Sequence, residues 1–144
     1  MSQESLRRLN IVLYSDDVTV RAHVAAALGT RVAADLEPHT IIEFATGPAL
    51  RLYVDGKARS GDHEIDLFIL DGESAPEGGM GVARQLKDEV FNCPPVLLIT
   101  GRREDAWLAA WSRAEASVIH PIDPFTLANT VADLLRTQTA ALIR

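Results

Sequence analysis

The sequence is poor in lysine, and its overall charge is negative. Only two of its 14 basic residues are lysines, Lys57 and Lys87, and 20 acidic residues bring the net charge to −6 over 144 residues. Proteins that bind nucleic acid regardless of its sequence neutralise phosphates with many basic side chains. A chain this acidic is therefore not expected to bind DNA directly.

Cysteine and long apolar segments are also scarce. The single cysteine, Cys93, excludes an internal disulfide, which favours a reducing compartment and a buried, unreactive thiol. The first residues do not resemble a signal peptide, and no apolar run approaches the roughly 20 residues that span a bilayer. These absences predict a cytoplasmic protein without a membrane segment.

The residues that are present suit one globular domain. With 47% hydrophobic and 24% charged residues, the chain can bury a core. Its length also fits one unit, since domains usually contain roughly 100–200 residues. We expect one domain over residues 1–144, with a core from about residue 9 to 136 and a helical extension over 137–144.

Short apolar runs alternate with amphipathic stretches along the chain. Because the runs are apolar throughout, they are typical of strands buried on both faces, and their alternation with helices predicts a doubly wound α/β domain with a five-stranded parallel sheet. Strands are predicted at residues 11–14, 40–45, 65–70, 95–100 and 117–119. Helices are predicted at 18–28 with a stop at Gly29, at 49–54, 82–90 and 104–114, and after a cap at Asp123; residues 55–63 are predicted to form a loop.

Polar residues follow the predicted strands at the edge where such folds bind ligands. They are Ser15, Asp16, Asp17, Asp71, Thr100 and His120. Carboxylates that meet at one edge favour Mg²⁺, and a carboxylate beside the metal can attack a phosphoryl group. The alternative for each aspartate is that it caps the helix that follows.

Four segments resemble, in the same order, the receiver domains of bacterial two-component response regulators. They are YSDDVTVR (14–21), IDLFILDGESAPEGGMGVARQLKDE (65–89), PPVLLITGR (94–102) and HPIDPFTL (120–127). The resemblance covers residues 9–136 and implies the flavodoxin-like (βα)5 receiver fold. It also implies phosphorelay signalling with no enzymatic activity beyond self-phosphorylation and dephosphorylation at an aspartate.

The resemblance implies a role for each matching residue. Asp71 matches the aspartate that takes a phosphoryl group from a histidine kinase or phosphotransfer protein. Thr100 matches the hydroxyl residue that moves toward that group on activation. Glu73 matches the position whose backbone carbonyl completes the magnesium site, and Pro121 matches a proline that usually follows a cis peptide bond.

The acidic pair that holds Mg²⁺ in the family has two possible matches. An ungapped alignment through Arg21 gives Ser15 and Asp16, and an alignment on the visible acidic dipeptide gives Asp16 and Asp17. We favour the ungapped match, with one metal-side carboxylate replaced by a serine. Mg²⁺ is then expected to bind more weakly, because a hydroxyl carries no charge.

Other positions depart further from the family pattern. His120 stands where receivers carry the lysine that contacts the acyl phosphate, and neither lysine of the chain is placed to replace it. Ser117 stands where an aromatic residue usually moves with the hydroxyl, Gly101 replaces a common alanine, and Pro76 comes one position late. The sequence therefore predicts an atypical receiver, with His120 either a partner of Asp71 or a polar turn residue.

No effector domain follows in the sequence, so we expect output through protein contacts. Trp107 and Trp111 lie four residues apart on the predicted fourth helix, and the family docks partners or dimerises through its fourth helix, fifth strand and fifth helix. Two alternatives stay open: a binding module that works without phosphorylation, and an enzyme or flavin carrier. The second alternative is disfavoured. Asp16 and Asp17 would repel a flavin phosphate, and neither lysine of the chain stands where an aspartyl phosphatase needs one.

Overall fold

The computed structural model of the chain describes residues 8–60, 65–101 and 106–143. Strands and helices alternate through these residues in the predicted order. They are β1 (Leu9–Tyr14), α1 (Val18–Leu28), β2 (His39–Phe44), α2 (Gly47–Ser60), β3 (Leu67–Asp71), α3 (Gly79–Glu89), β4 (Val96–Thr100), α4 (Ala106–Trp111), β5 (Ala116–Ile119) and α5 (Pro124–Ile143).

The five strands form one parallel sheet in the order β2-β1-β3-β4-β5. This confirms the predicted fold class. Tyr14 pairs with Leu70, and Thr100 pairs with Ile119. The register therefore brings the carboxyl ends of β1, β3, β4 and β5 to one edge of the sheet.

The sheet is buried on both faces, as the uninterrupted apolar strands predict. Side chains alternate along each strand, so Ile11 and Leu13 pack toward α1 and α5, whereas Val12 and Tyr14 pack toward α2 and α3. All four of these side chains are fully buried. Two apolar layers thus hold the strand ends in place.

Helix α2 is longer than predicted, because it continues to Ser60 where a loop was expected from residue 55. Leu50 and Val54 anchor it one turn apart in the core. Lys57 then lies over the ring of Tyr53, 5.5 Å from its centroid, which supports a further turn. Residues 61–63 of the predicted loop lie outside the described residues.

Helices α3 and α4 also differ from their predicted bounds. Helix α3 begins at Gly79, three residues early, where the chain passes so close to β3 that a Cβ would lie 2.7 Å from the Asp71 carbonyl oxygen. Helix α4 ends at Trp111, before the predicted residue 114. The positive φ of Arg113, 64°, is incompatible with a continuing helix. The predicted start at Glu104 lies outside the described residues.

Two predicted helix ends are confirmed. Gly29 ends α1 with a φ of 58°, and Asp123 caps α5 by accepting the Thr126 amide at 2.9 Å. The hydrogen bond from the Thr126 hydroxyl, followed by that from the Thr126 amide, lowers the pKa of Asp123.

Cys93 is partly buried, and burial raises the pKa of its thiol to about 11. Among the described residues, no helix combines the length and apolar character needed to span a bilayer.

Candidate functional site

Asp71 is the last residue of β3, and its carboxylate is surrounded by donors. The residue is 2% exposed. Its Oδ2 accepts a hydrogen bond from the Ser15 hydroxyl at 2.7 Å, and its Oδ1 accepts one from the Glu73 backbone amide at 2.9 Å. Nε2 of His120 lies 3.1 Å from the same Oδ1. These contacts fix the orientation of a buried carboxylate at the edge of the sheet.

Ser15 reaches Asp71 because β1 and β3 are neighbours in register. Tyr14 pairs with Leu70, so the next residue of each strand stands at the same level. Ser15 is fully buried, and its Oγ also accepts the amide of Asp17 at 3.1 Å. The serine, and not the first aspartate, therefore lies beside Asp71.

The two aspartates after Ser15 have different surroundings. Asp16 binds the β3–α3 loop, donating its amide to Ser74 Oγ at 3.0 Å and accepting the Ala75 amide on Oδ2 at 3.2 Å. Asp17 caps α1, and its Oδ1 accepts the Thr19 amide at 2.8 Å. The capping alternative is thus confirmed for Asp17, although both aspartates border the same cleft.

On the other side of Asp71, β4 and β5 position Thr100 and His120. Thr100 is buried, and its hydroxyl donates to the Val118 carbonyl at 3.3 Å. The His120 amide donates to the Thr100 carbonyl at 2.8 Å, which holds the imidazole, 25% exposed, against Asp71. The peptide bond between His120 and Pro121 is cis, as the resemblance implies, and that before Pro76 is also cis.

These side chains surround an open cleft of about 300 Å³. Its lining comprises Asp16, Asp17, Val20, Asp71, Glu73, Gly101 and His120. Within residues 8–60, 65–101 and 106–143, no three His, Cys, Asp or Glu side chains are grouped as metal ligands. Acidic side chains nevertheless border the cleft, namely those of Asp16, Asp17, Asp71 and Glu73.

A second set of contacts, which the sequence analysis missed, ties the β3–α3 loop to the core. The buried Tyr14 hydroxyl donates to the Glu77 carbonyl at 2.6 Å, and burial followed by the nearby Glu77 charge raises its pKa. Arg51 of α2 holds the Glu77 carboxylate with two hydrogen bonds, of 2.8 and 2.5 Å. A tyrosine at the end of an apolar strand was the available signal, since a buried phenol needs a partner.

The predicted interaction residues are exposed. Trp107 is 67% exposed and Trp111 is 47% exposed. The guanidinium of Arg84 lies over the Trp111 ring, 5.0 Å from its centroid, and also donates to the Trp111 carbonyl. Trp111 is therefore held against α3, whereas most of Trp107 faces solvent. Ser117 on β5 is exposed as well.

Comparison with solved structures identifies the fold. The signal receiver domain of an HD domain-containing protein from Pseudomonas fluorescens has a TM-score of 0.73 at 20% identity, covering 96% of this chain and 94% of that one. A CheY-like response regulator receiver domain from Methanospirillum hungatei has a TM-score of 0.69 at 16% identity, covering 94% and 99%. The architecture is that of a receiver domain.

Comparison with curated proteins identifies the family. No model of a known protein family matches the sequence. A protein of Mycobacterium tuberculosis, named an uncharacterised response regulatory protein in two strains, is 53% identical over 133 residues, which are 92% of this chain and 96% of the relative. The chain therefore belongs to the response regulator receiver family of two-component systems.

Proposed function

We propose that this protein is an atypical receiver that accepts a phosphoryl group on Asp71. The observation that carries the proposal is the buried Asp71 carboxylate, held by Ser15, Glu73 and His120 at the wall of an open cleft. A carboxylate with a fixed orientation meets the geometric requirement for a nucleophile that attacks phosphorus in line.

The proposed reaction exchanges one bond to phosphorus for another. A carboxylate oxygen of Asp71 attacks the phosphohistidine of a kinase or phosphotransfer protein. The new P–O bond forms as the P–N bond breaks, and the histidine nitrogen leaves with the electron pair and takes a proton. The product is an acyl phosphate on Asp71.

Mg²⁺ fits the donors of the cleft, which are oxygens. We propose that Asp16, Asp71 and the backbone carbonyl of Glu73 would hold it, because Mg²⁺ keeps several waters and needs only one or two carboxylates. When bound, the ion supplies positive charge beside the carboxylate that attacks the phosphoryl group. Asp17 is the less favoured ligand, since its carboxylate caps α1. Because the Ser15 hydroxyl is neutral where the family has a second carboxylate, we expect Mg²⁺ to bind weakly.

His120 and Thr100 are proposed to contact the phosphoryl group on the side of Asp71 away from Ser15. The imidazole of His120 already reaches Asp71, in the place that the family fills with a lysine. The hydroxyl of Thr100 would have to turn away from the Val118 carbonyl to do so. We further propose a cytoplasmic location and output through contacts with another protein or a second copy of the chain.

The deciding experiment is phosphorylation by a small donor. We expect acetyl phosphate with Mg²⁺ to add one phosphoryl mass to the intact protein, and EDTA to prevent the addition. Asp71→Asn should abolish it, because an amide is not a competent nucleophile here. An adduct that survives in Asp71→Asn would contradict the assignment.

The contribution of His120 is tested by His120→Lys. A lysine carries a full positive charge, so we expect the initial rate of adduct formation to rise several-fold, as a charge near a reacting anion changes its energy by about 1 kcal/mol in water-like surroundings. Intact mass spectrometry over time measures the rate. An unchanged rate would remove the proposed role of His120.

A second candidate is a binding module that works without phosphorylation, through α4, β5 and α5. The exposed Trp107 and Trp111 and the small Ser117 favour it. Failure of the wild-type protein to form any adduct or to bind Mg²⁺ would favour this candidate over the phosphoacceptor.

A further inference from the structure

The β3–α3 loop, residues 72–78, carries two backbone amides that bind acidic side chains of the cleft. The Glu73 amide donates to Asp71 Oδ1 at 2.9 Å, and the Ala75 amide donates to Asp16 Oδ2 at 3.2 Å. The same loop carries the Glu73 carbonyl that is proposed to bind Mg²⁺. The conformation of the loop therefore determines how the proposed nucleophile and the proposed metal ligands are placed.

The far end of this loop is bound by an arginine of α2. Arg51 donates to the two carboxylate oxygens of Glu77, from Nη1 at 2.8 Å and from Nη2 at 2.5 Å. Its Nε donates to Gln85 Oε1 of α3 at 2.7 Å. A planar guanidinium can hold two carboxylate oxygens at once, which the ammonium of a lysine does not match. One side chain thus joins α2, the β3–α3 loop and α3.

The surroundings of Glu77 are shaped for its carboxylate. A Cβ placed on Gly47, the first residue of α2, would lie 2.9 Å from Glu77 Cδ and 3.0 Å from Arg51 Nη1. Because glycine leaves this space open, the carboxylate packs against the first turn of α2, where the free amides favour a negative charge. The Glu77 carbonyl accepts the Tyr14 hydroxyl at 2.6 Å. Glu77 is thus bound through both its side chain and its backbone by residues that do not line the cleft.

We propose that Arg51 is a positioning residue for phosphoryl transfer, which acts through Glu77 to hold the β3–α3 loop in the conformation that orients Asp71. The inference rests on the proposed function and adds a residue outside the cleft on which the reaction depends. The loop contacts with Asp16 and Asp71 use the carboxylate oxygens that a metal or a phosphoryl group would also engage. The contacts at Glu77 use none of those oxygens, so they hold the loop whatever the cleft contains.

Three variants and one control test the pair formed by Arg51 and Glu77. Arg51→Met removes the guanidinium and keeps an unbranched side chain, whereas Arg51→Lys keeps the charge without the planar fork. Glu77→Gln removes the opposite charge and keeps the shape. Arg136→Met is the matched control, because Arg136 binds the carboxylate of Asp35 with two hydrogen bonds, of 2.8 and 3.0 Å, and neither residue lines the cleft.

Amide hydrogen exchange followed by NMR reports on the loop directly, with no metal or donor present. We expect the Glu73 and Ala75 amides to exchange roughly two- to fivefold faster in Arg51→Met and in Glu77→Gln, which is the range expected for a partly exposed ion pair. Arg51→Lys should lie between the wild type and Arg51→Met. Exchange of these two amides should be unchanged in Arg136→Met.

Binding of Mn²⁺, a probe for the magnesium site, separates positioning from simple electrostatics. The free ion is measured by electron paramagnetic resonance. If charge alone acted, loss of the Arg51 cation would tighten Mn²⁺ binding and loss of the Glu77 anion would weaken it. Positioning instead predicts roughly two- to fivefold weaker binding in both variants. The double variant should be no weaker than the weaker single variant, because either change already breaks the pair.

The rate of adduct formation with acetyl phosphate and Mg²⁺ should fall by a similar factor in Arg51→Met and in Glu77→Gln. Wild-type amide exchange in both variants would overturn the proposal, as would changes in Mn²⁺ affinity of opposite sign. Equal effects in Arg136→Met would also overturn it, because they would reflect a general loss of stability. If thermal melting shows that Arg51→Met is unfolded, Glu77→Gln and Arg51→Lys decide.

The same data distinguish failure of the positioning role from failure of the phosphoacceptor. A wild-type adduct that Asp71→Asn abolishes, formed at an unchanged rate in Arg51→Met and Glu77→Gln, rejects the role of Arg51 alone. Faster amide exchange, weaker Mn²⁺ binding and a slower adduct in both variants support it. The absence of an adduct in the wild type rejects the function of Asp71, and the positioning role in phosphoryl transfer is rejected with it.

Discussion

Carboxylates accept backbone amides at both edges of the sheet, but the two edges differ in what those carboxylates face. At the amino edge, Asp66 accepts the Asn10 amide and Glu115 accepts the Val96 amide, each at 2.7 Å. At the carboxyl edge, Asp71 accepts the Glu73 amide at 2.9 Å but lines an open cleft. The same kind of interaction secures neighbouring strands at one edge and orients a carboxylate that borders a cleft at the other.

Hydrogen bonding alone does not distinguish a structural carboxylate from a candidate functional one. Asp66 and Asp71 are both nearly buried, at 4% and 2% exposure; Asp66 directly precedes β3, and Asp71 is the last residue of β3. Asp71 differs because Ser15, which follows β1, and His120, which follows β5, both contact it beside an open cleft. Substitutions should therefore affect stability at the amino edge and reaction at the carboxyl edge.

The largest effect on stability is expected at the amino edge, for Asp66→Ala. Losing this acceptor leaves the Asn10 amide without its carboxylate in a mostly buried place, which should cost about 2 kcal/mol of unfolding free energy. Urea unfolding measures the loss. The rate of adduct formation at Asp71 should stay unchanged in the folded variant.

Asp66→Asn is the matched control, because its amide oxygen can still accept the hydrogen bond. It should recover most of the lost free energy. A large drop in the rate of adduct formation in either variant would contradict a purely structural role for Asp66.

A smaller loss of stability and a larger loss of reaction are expected for Ser15→Ala. The substitution removes one of three donors to Asp71, at a cost of about 1 kcal/mol of unfolding free energy. It also frees the carboxylate to rotate, so the adduct should form more slowly. Ser15→Thr, which keeps the hydroxyl, is the control. A rate equal to that of the wild type in Ser15→Ala would show that the serine does not position Asp71.

The smallest effect concerns pH and His39, a buried residue at the start of β2. Neither ring nitrogen of His39 has a hydrogen-bond partner among the described residues, and the ring is 3% exposed. Burial lowers the pKa of His39, and the nearby charge of Arg8 lowers it further. The Gly29 backbone raises it, but by less than burial lowers it. The unfolded chain therefore binds a proton more readily than the folded one.

The sign of the effect follows from that difference. Above the unfolded pKa of about 6.5, His39 is neutral in both states and does not favour unfolding. As the pH falls from there through the lower folded pKa, the unfolded chain takes up a proton and the free energy of unfolding decreases. Urea unfolding between pH 7.5 and 5.5 should show a shallower decline for His39→Met than for the wild type. His23→Gln, at an exposed position, is the control, and identical slopes in all three proteins would contradict the prediction.

The order of elements and the residues at the strand ends could be predicted because they depend on local patterns. Apolar runs and turn residues are visible in the sequence, and a parallel sheet then brings Asp16, Asp71, Thr100 and His120 to one edge. The contact of Tyr14 with Glu77 joins residues 63 positions apart. Spacing along the chain does not predict such a contact.

For a related reason, the sequence does not predict the exact helix bounds or the packing of the Glu73 side chain against Gly101. Each depends on which atoms of a distant segment occupy the neighbouring space. Helix α3 begins early because Gly79 fits against the Asp71 backbone, and the polar end of α2 stays helical beyond two core anchors. Helix propensity does not determine these bounds, because packing between elements decides where each helix begins and ends.

For Thr100 to contact a phosphoryl group on Asp71 as proposed, its hydroxyl would have to break the hydrogen bond to the Val118 carbonyl. A neutral hydrogen bond of this kind contributes about 1 kcal/mol, which is roughly a fivefold bias in an equilibrium between two rotamers. With a bias of that size, a minor fraction of molecules has the Thr100 hydroxyl turned away from the Val118 carbonyl even without a phosphoryl group on Asp71. Under the proposed function, Thr100→Val, which lacks the hydroxyl, should therefore remove both this bias and any response of Thr100 to phosphorylation.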